Sequence, residues 1–211
     1  MMTGALAALS LWATPLAAQS VDASNTQGCE LHVWPSQGLH SVYYGWVHGG
    51  INDGAVKGQN GYPKVDGAPL AIDQQHVLLA DAHPERALDR SNYKLVIHTE
   101  ALSSSDIRGA TGRLSQSTSP CYAELIIEDV FFQQDVFSGS FLKTMVRFRD
   151  FGSATTPTRV FGTWVHTALA HVPANPGDAP QLAADDLQQA YRNNLSLFAE
   201  ALNKPAKSAR K

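Results

Sequence analysis

Three consecutive strand patterns in the second half of the chain constrain its fold most. The segment Tyr122–Gln133 carries apolar residues on both faces, which predicts a strand that is covered on both sides, at least in part. Phe141–Arg149 alternates between apolar and basic residues, as in a half-solvated strand. Val160–His171 predicts a third strand. Because only short turns such as Ser138-Gly139 separate them, the three segments predict an antiparallel meander.

An amphipathic helix is predicted after the meander. Its apolar residues recur at steps of three and four, and they are Leu187, Tyr191, Leu195, Phe198 and Leu202. Asp178 stands three residues before Gln181, which resembles a capping box, and Pro205 ends the pattern. We expect the apolar stripe to pack on one face of the meander. The predicted fold is therefore α+β with two layers, an antiparallel β-meander sheet packed against a C-terminal amphipathic helix.

The first half of the chain predicts shorter elements. Leu31–Trp34 and the alternating Tyr93–His98 are expected to be strands. Val77–Leu79 fits either a short strand or part of a helix, and Pro84–Leu88 is expected to open a helical turn. Residues 102–120 are rich in serine and predict an exposed loop.

The opening residues are typical of an export signal. An uncharged apolar run is followed by Pro15 and small residues, which favours cleavage after Ala18, although no basic residue precedes the run. The alternative is an apolar first helix of the fold. The predicted organisation is a signal peptide at 1–18, a flexible mature N-terminus at 19–28, a single α/β domain at 29–203 and a basic disordered tail at 204–211. The expected location is the periplasm, free or associated with the outer membrane.

The chain has two cysteines, Cys29 and Cys121. In an oxidising compartment they are expected to form a disulfide, which closes a long loop and stabilises the fold by roughly 3–4 kcal/mol. The alternative is a pair of buried free thiols.

A glycine-rich segment at 37–61 is the best candidate for an interaction surface. Tyr43, Tyr44 and Trp46 lie within it and are expected to anchor a partner, although packing beneath the domain is equally compatible with the sequence. Its glycines at 50, 54 and 58 have the spacing of close helix contacts in membranes, which leaves membrane association as an alternative.

The net charge and the motifs of the chain narrow the range of possible functions. The formal net charge is -3, which argues against nucleic acid as a general partner. The eight histidines are scattered, and no metal site, cofactor or catalytic constellation is predicted. Glu128 and Asp129 are neighbours on a strand and should face opposite ways. A hairpin turning near Ser138-Gly139 places Glu128 near Arg149, as a cross-strand ion pair on the solvated face.

The order of these elements resembles the small α/β domain of the curli-secretion and TolB N-terminal type. It is similar as well to lipoprotein cofactors that regulate peptidoglycan synthases, and to uncharacterised secreted proteins of Gram-negative bacteria. The resemblance lies in Glu124–Phe131, in Lys143–Arg149 with the Asp150-Phe151-Gly152 turn, in Val160–Ala170 and in the closing helix. The chain departs from this pattern in its glycine-rich segment, which replaces the usual first helix, and in having no lipobox. The resemblance implies a non-enzymatic role in envelope assembly or trafficking.

The expected function is therefore that of a non-enzymatic binding or assembly module of the cell envelope, with an envelope protein as partner or with self-association. One alternative is a small secreted hydrolase or metal-dependent enzyme, whose histidines and carboxylates are brought together by folding. Another is a protein held at a membrane by the glycine-rich segment.

Overall fold

The computed structural model describes residues 28–44, 65–135, 138–175 and 177–204. The predicted signal peptide, the basic tail and Trp46 with most of the glycine-rich segment lie outside these residues. The strands are β1 Glu30–Trp34, β2 Leu39–Tyr44, β3 Lys94–Ile97, β4 Tyr122–Asp135, β5 Gly139–Gly152 and β6 Arg159–Ala168. The helices are α1 Ile72–Ala82, α2 Pro84–Ala87, α3 Ser104–Gly109 and α4 Pro180–Asn203, and Ala68–Leu70 forms a 3₁₀ turn.

The strands form one mixed sheet in the order β3-β1-β4-β5-β6, with β2 beside the second half of β4. The antiparallel meander of β4, β5 and β6 is confirmed. The prediction of a purely antiparallel sheet is wrong, because β1 is parallel to both β3 and β4, and β2 is parallel to β4. Parallel neighbours need a crossover connection, and α1 and α2 lie between β1 and β3 in the chain. This pairing joins segments far apart in sequence, so the pattern of either segment alone does not reveal it.

β1 and β2 lie end to end along one edge of β4. β1 pairs with Tyr122–Ile126 and β2 pairs with Val130–Asp135. The break between them contains Pro35, which has no amide hydrogen to donate to a strand ladder. It also contains Gly38, whose positive φ of 114° is a backbone conformation that favours glycine.

The core lies between the sheet and α4 with α1. All five residues of the predicted α4 stripe are buried, as expected. A buried polar contact fixes the position of the helix, because Asn194 Nδ2 donates to the Leu142 carbonyl at 3.0 Å and to Thr144 Oγ1 at 2.9 Å. Tyr191 on the same helix donates its hydroxyl to Gln75 of α1 at 3.1 Å.

Three local predictions are corrected. Asp178 does not cap α4: the cap position is Ala179, and the Asp178 carboxylate accepts from the amide of Asn175. The third strand ends at Ala168, so His171 lies beyond it. The serine-rich segment is not merely an exposed loop, because it contains α3 and the buried Ser119. The sequence was compatible with a strand or a helix at Val77–Leu79, and these residues lie in α1.

The predicted pairing of Glu128 with Arg149 is wrong. The hairpin pairs Asp135 with Gly139, and a bulge near Ile127 shifts the register further. Arg149 therefore stands opposite Glu124, and it is buried instead of solvated. Glu128 instead accepts a hydrogen bond from Arg147. A bulge inserts an unpaired residue, which a reading of strict alternation does not detect.

Candidate functional site

The sheet face opposite α4 has two halves of different character. Over β1, β3 and the first half of β4, α3 and the chain that follows it cover the face. Ile107 of α3 packs there with Trp34 and Ile126, and Leu102 and Leu114 complete this small cluster. Over the second half of β4, β5 and β6, no helix of the described residues packs on the face.

The covered half contains a chain of polar side chains, which we call the polar network: Glu30, His32, His98 and Ser117. His32 Nδ1 lies 2.9 Å from His98 Nε2, and His32 Nε2 lies 3.1 Å from Glu30 Oε2. Ser117 Oγ donates to the same Glu30 oxygen at 2.5 Å. Since a carboxylate only accepts, neutral His32 donates through Nε2 and accepts from His98 Nε2–H.

Burial and contacts shift the ionisation of this network. Burial, and to a smaller extent the neighbouring His32, lower the pKa of His98 to about 4. Burial lowers the pKa of His32 as well, although Glu30 opposes this shift. The hydrogen bond from Ser117, together with that from His32, lowers the pKa of Glu30. Both imidazoles are therefore neutral at pH 7 beside an ionised carboxylate.

The contacts of Ser117 are not those of a serine nucleophile. In an activated serine the hydroxyl contacts an imidazole that a carboxylate orients. Here Ser117 contacts Glu30, so no imidazole is placed to take its proton. Among the residues that the structure describes, no group of three or more histidine, cysteine, aspartate or glutamate side chains is arranged to hold a metal ion.

Aromatic stacking extends the polar network. The Trp34 indole lies parallel to the His98 ring, with centroids 4.0 Å apart and an interplanar angle of 5°. The contact between His32 and His98 could not be predicted from the positions of the histidines in the sequence. The contact arises from the parallel pairing of β1 with β3. The two residues are 66 positions apart, and neither strand pattern carries a signal for it.

A buried ion pair lies beside the network. Arg149 Nη1 is 2.9 Å from Glu124 Oε2, and both side chains are almost fully buried. The pair is close but not aligned as a hydrogen bond. One further atom of each side chain has hydrogen-bond partners: the amide of Leu114 and the hydroxyl of Tyr122 donate to Glu124 Oε1, while Arg149 Nη2 donates to the Gly112 carbonyl. Burial raises the pKa of Glu124, and the Leu114 amide and Arg149 oppose this shift.

The disulfide lies at the edge of the covered half. Cys29 and Cys121 are joined, as expected, with their Cα atoms 4.6 Å apart. They directly precede β1 and β4, so the bond ties the first residues of two parallel neighbours. Ser119 Oγ supports this junction by donating to the Gly28 carbonyl at 2.7 Å.

The uncovered half, which we call the open sheet face, carries aromatic, basic, acidic and sulfur-containing side chains. Its members are His40, Asp129, Phe131, Phe141, Lys143, Met145, Trp164 and His166, and the His40 ring lies 3.3 Å from the Asp129 carboxylate. Phe131 lies at its centre, edge-on to Trp164 with ring centroids 5.2 Å apart and stacked with His40 at 5.6 Å. Lys143 Nζ lies 5.8 Å from the centre of the Phe131 ring, and Trp164 is 46% exposed.

The predicted aromatic anchors are only partly described. Tyr43 and Tyr44 end β2, where they pair with Gln134 and Asp135 of β4. Their side chains and Trp46 lie outside the described residues. The aromatic cluster that the structure does describe, around Phe131 and Trp164, comes from β4 and β6, for which the sequence predicted strands but no interaction surface.

An open groove of about 520 Å³ lies beside the first turn of α4. Its walls are mostly apolar, and they include Val65, Pro69, Val172 and Leu187. Among the described lining residues Asp66 is the charged one, and one of its carboxylate oxygens accepts from the amide of Ala68. The groove therefore offers apolar contact but few polar groups to orient a ligand.

No protein-family profile and no curated protein matches the chain. Among the solved structures that are similar to it are the following two. One is a Xanthomonas campestris protein of the DUF330 family, which is 11% identical, covers 81% of each chain and has a TM-score of 0.42. The other is an uncharacterised protein with 11% identity, a TM-score of 0.36 and coverage of 83% of this chain and 99% of its own. Such low TM-scores decide neither fold family nor function, and the resemblance to TolB N-terminal domains stays a prediction.

None of the helices in the described part of the chain combines the length and the apolar character that a membrane span requires.

Proposed function

We propose that this protein is a non-enzymatic binding module of the bacterial cell envelope, and that it holds a protein partner on the open sheet face. The observation that carries the proposal is the cluster of Phe131, Met145 and Trp164 on a sheet face that no described helix covers. Aromatic residues and methionine are enriched where proteins bind one another, and buried aromatic anchors supply much of the binding energy.

The chemistry of the open sheet face favours a particular kind of partner. The Phe131 ring and the Met145 side chain offer apolar contact, while the cationic Lys143 lies beside Phe131. A protein surface with an apolar anchor and a carboxylate matches this arrangement, because the carboxylate would pair with Lys143 at the edge of the apolar contact.

An envelope location is supported by two features. The opening residues are typical of an export signal, and the disulfide between Cys29 and Cys121 is the kind of bond that persists in an oxidising compartment. The order of contacts in the polar network, with Ser117 on the carboxylate, favours a structural network over a hydrolytic one.

Site-specific photo-crosslinking in the native bacterium tests the binding face. A photoreactive amino acid replaces Phe131 or Met145 and, as the matched control, Val77, which is 52% exposed on α1 in the opposite layer. We expect the same envelope protein to be captured at Phe131 and Met145 but not at Val77. Capture of that protein equally at all three positions, or no adduct at either face position, would refute the proposal.

The compartment is tested separately by cell fractionation and intact-mass measurement. We expect a periplasmic or outer-membrane product that begins at Gln19 and is two hydrogens lighter than the reduced chain. A cytosolic product that still begins at Met1, with both thiols free, would contradict the envelope location.

A further inference from the structure

β6 is the last strand of the sheet on one side. It pairs with β5 without interruption from Asp150 opposite Arg159 to Phe141 opposite Ala168. Its other edge pairs with no strand in the part of the chain that the structure describes. A row of backbone amides and carbonyls over ten residues is therefore available to another strand.

The edge of β6 lacks the usual devices that prevent pairing. Proteins protect such edges with lysine, proline, bulges or short strands. β6 contains no lysine or proline, and its ladder with β5 has no bulge. Its one charged residue, Arg159, is engaged within the domain, because its guanidinium donates to the Leu202 carbonyl at 2.6 Å. The opposite edge strand, β3, has only four residues and begins with Lys94.

The sequence of β6 is complementary to itself. Two copies that pair antiparallel about Thr163 place Trp164 of each copy opposite Gly162 of the other. The Trp164 indole packs on Phe131 of β4 in its own copy, and the glycine opposite it leaves this position free of steric conflict in the dimer. In the same register Arg159 stands opposite Thr167, so no like charges meet.

The helix layer agrees with this arrangement. Leu197 of α4 is 39% exposed. It lies eleven residues after Asp186, and because eleven residues make about three helical turns, the two side chains lie on the same flank of the helix. Asp186 accepts from the amides of Ala170 and His171 directly beyond β6, so this flank faces the open edge. Pairing of two sheets at β6 would bring the two α4 helices alongside each other and cover Leu197.

We infer that the protein forms a two-fold symmetric homodimer by antiparallel pairing of β6 with β6 of a second copy. The contact is isologous, so it closes at two copies and leaves no open β6 edge. It extends the sheet to twice its strand number and places two open sheet faces side by side. The inference rests on the strand edge and on Leu197, and it does not depend on the proposed partner of the open sheet face.

The oligomeric state of the purified mature protein tests the inference. Light scattering after size exclusion and sedimentation equilibrium are measured for the wild type, Trp164→Lys, Leu197→Lys and the control Val77→Lys. We expect a dimer for the wild type and for Val77→Lys, and at least a tenfold rise in Kd for the other two variants, which corresponds to about 1.4 kcal/mol. Circular dichroism establishes that each variant is folded.

Hydrogen exchange supplies a second measurement that needs no substitution. The amides of β6 should exchange more slowly at concentrations where the dimer forms than after dilution, and those of β3 should not change. A wild type that remains monomeric at about 100 μM would overturn the inference, as would a dimer whose β6 amides gain no protection. A dimer weakened by Trp164→Lys but not by Leu197→Lys would indicate pairing through the open sheet face instead. A monomeric result leaves the photo-crosslinking test of the open sheet face unaffected.

Discussion

The two faces of the sheet are built from alternate residues of the same strands, yet they are stabilised in different ways. The face under α4 and α1 is apolar, with residues such as Leu125, Val146 and Phe148 fully or almost fully buried. The opposite face buries charges at one end, in Glu124 and Arg149, and leaves aromatic residues open at the other. Adjacent residues of one strand therefore lie in different surroundings, and substitutions at adjacent positions should differ in their effect on stability.

The largest difference is expected between two phenylalanines on opposite faces. Phe148→Ala removes a fully buried ring from the core and should lower the free energy of unfolding by about 3–5 kcal/mol. Phe131→Ala removes a ring from the open sheet face and should cost less than about 1 kcal/mol. Urea unfolding with the disulfide intact measures both. Similar losses for the two variants would mean that the open sheet face is covered in the intact protein.

A smaller difference is expected between two carboxylates of β4. Glu124→Gln removes the charge opposite Arg149 in a buried site and should cost about 1.5–3 kcal/mol. Glu128→Gln weakens the partly exposed pair with Arg147 and should cost less than about 1 kcal/mol. The two variants are compared by the same unfolding measurement. An equal cost would show that burial does not distinguish the two ion pairs.

The smallest effect is a dependence of stability on pH that arises in the polar network. Folding lowers the pKa of His98 from its ordinary value of 6.5 to about 4, so the unfolded chain binds a proton more readily between these values. Protonation therefore favours unfolding, and stability should fall as the pH drops from about 6.5 to about 4.

The variant His98→Gln should flatten this part of the curve of melting temperature against pH. His166→Gln, on the exposed side of β6, serves as the control for replacing a histidine with glutamine. An unchanged slope in His98→Gln would assign the acid sensitivity to other groups, such as His32.

Strand and helix positions were largely predictable because periodicity is a local property. The stripe from Leu187 to Leu202 has the step of a helix, and Leu142, Thr144, Val146 and Phe148 have the alternation of a strand with one buried face. The pairing register was not predictable. The position of the hairpin turn, which pairs Asp135 with Gly139, and the one-residue bulge near Ile127 together moved the partner of Arg149 from Glu128 to Glu124. A bulge leaves no reliable mark in the alternation.

The candidate site was harder to predict than the elements that build it. His32 and His98 meet because β1 and β3 are parallel neighbours, and the pairing of two distant strands depends on the packing of the whole sheet. The open sheet face depends on where the described helices pack, which is a property of the assembled layers. The cysteine pair could be predicted from the sequence, because a chain with two cysteines offers a single intramolecular pairing.

The amino-acid sequence by itself determined the meander, the amphipathic closing helix and the pairing of Cys29 with Cys121. The first two follow from local periodicity, and the third follows because only cysteines form disulfides and the chain has two of them. Only the tertiary structure decided which strands are parallel, which charges are buried together and which aromatic rings remain exposed. These outcomes depend on contacts between segments tens of residues apart. Their energies are set by burial, and burial exists only once the layers have assembled.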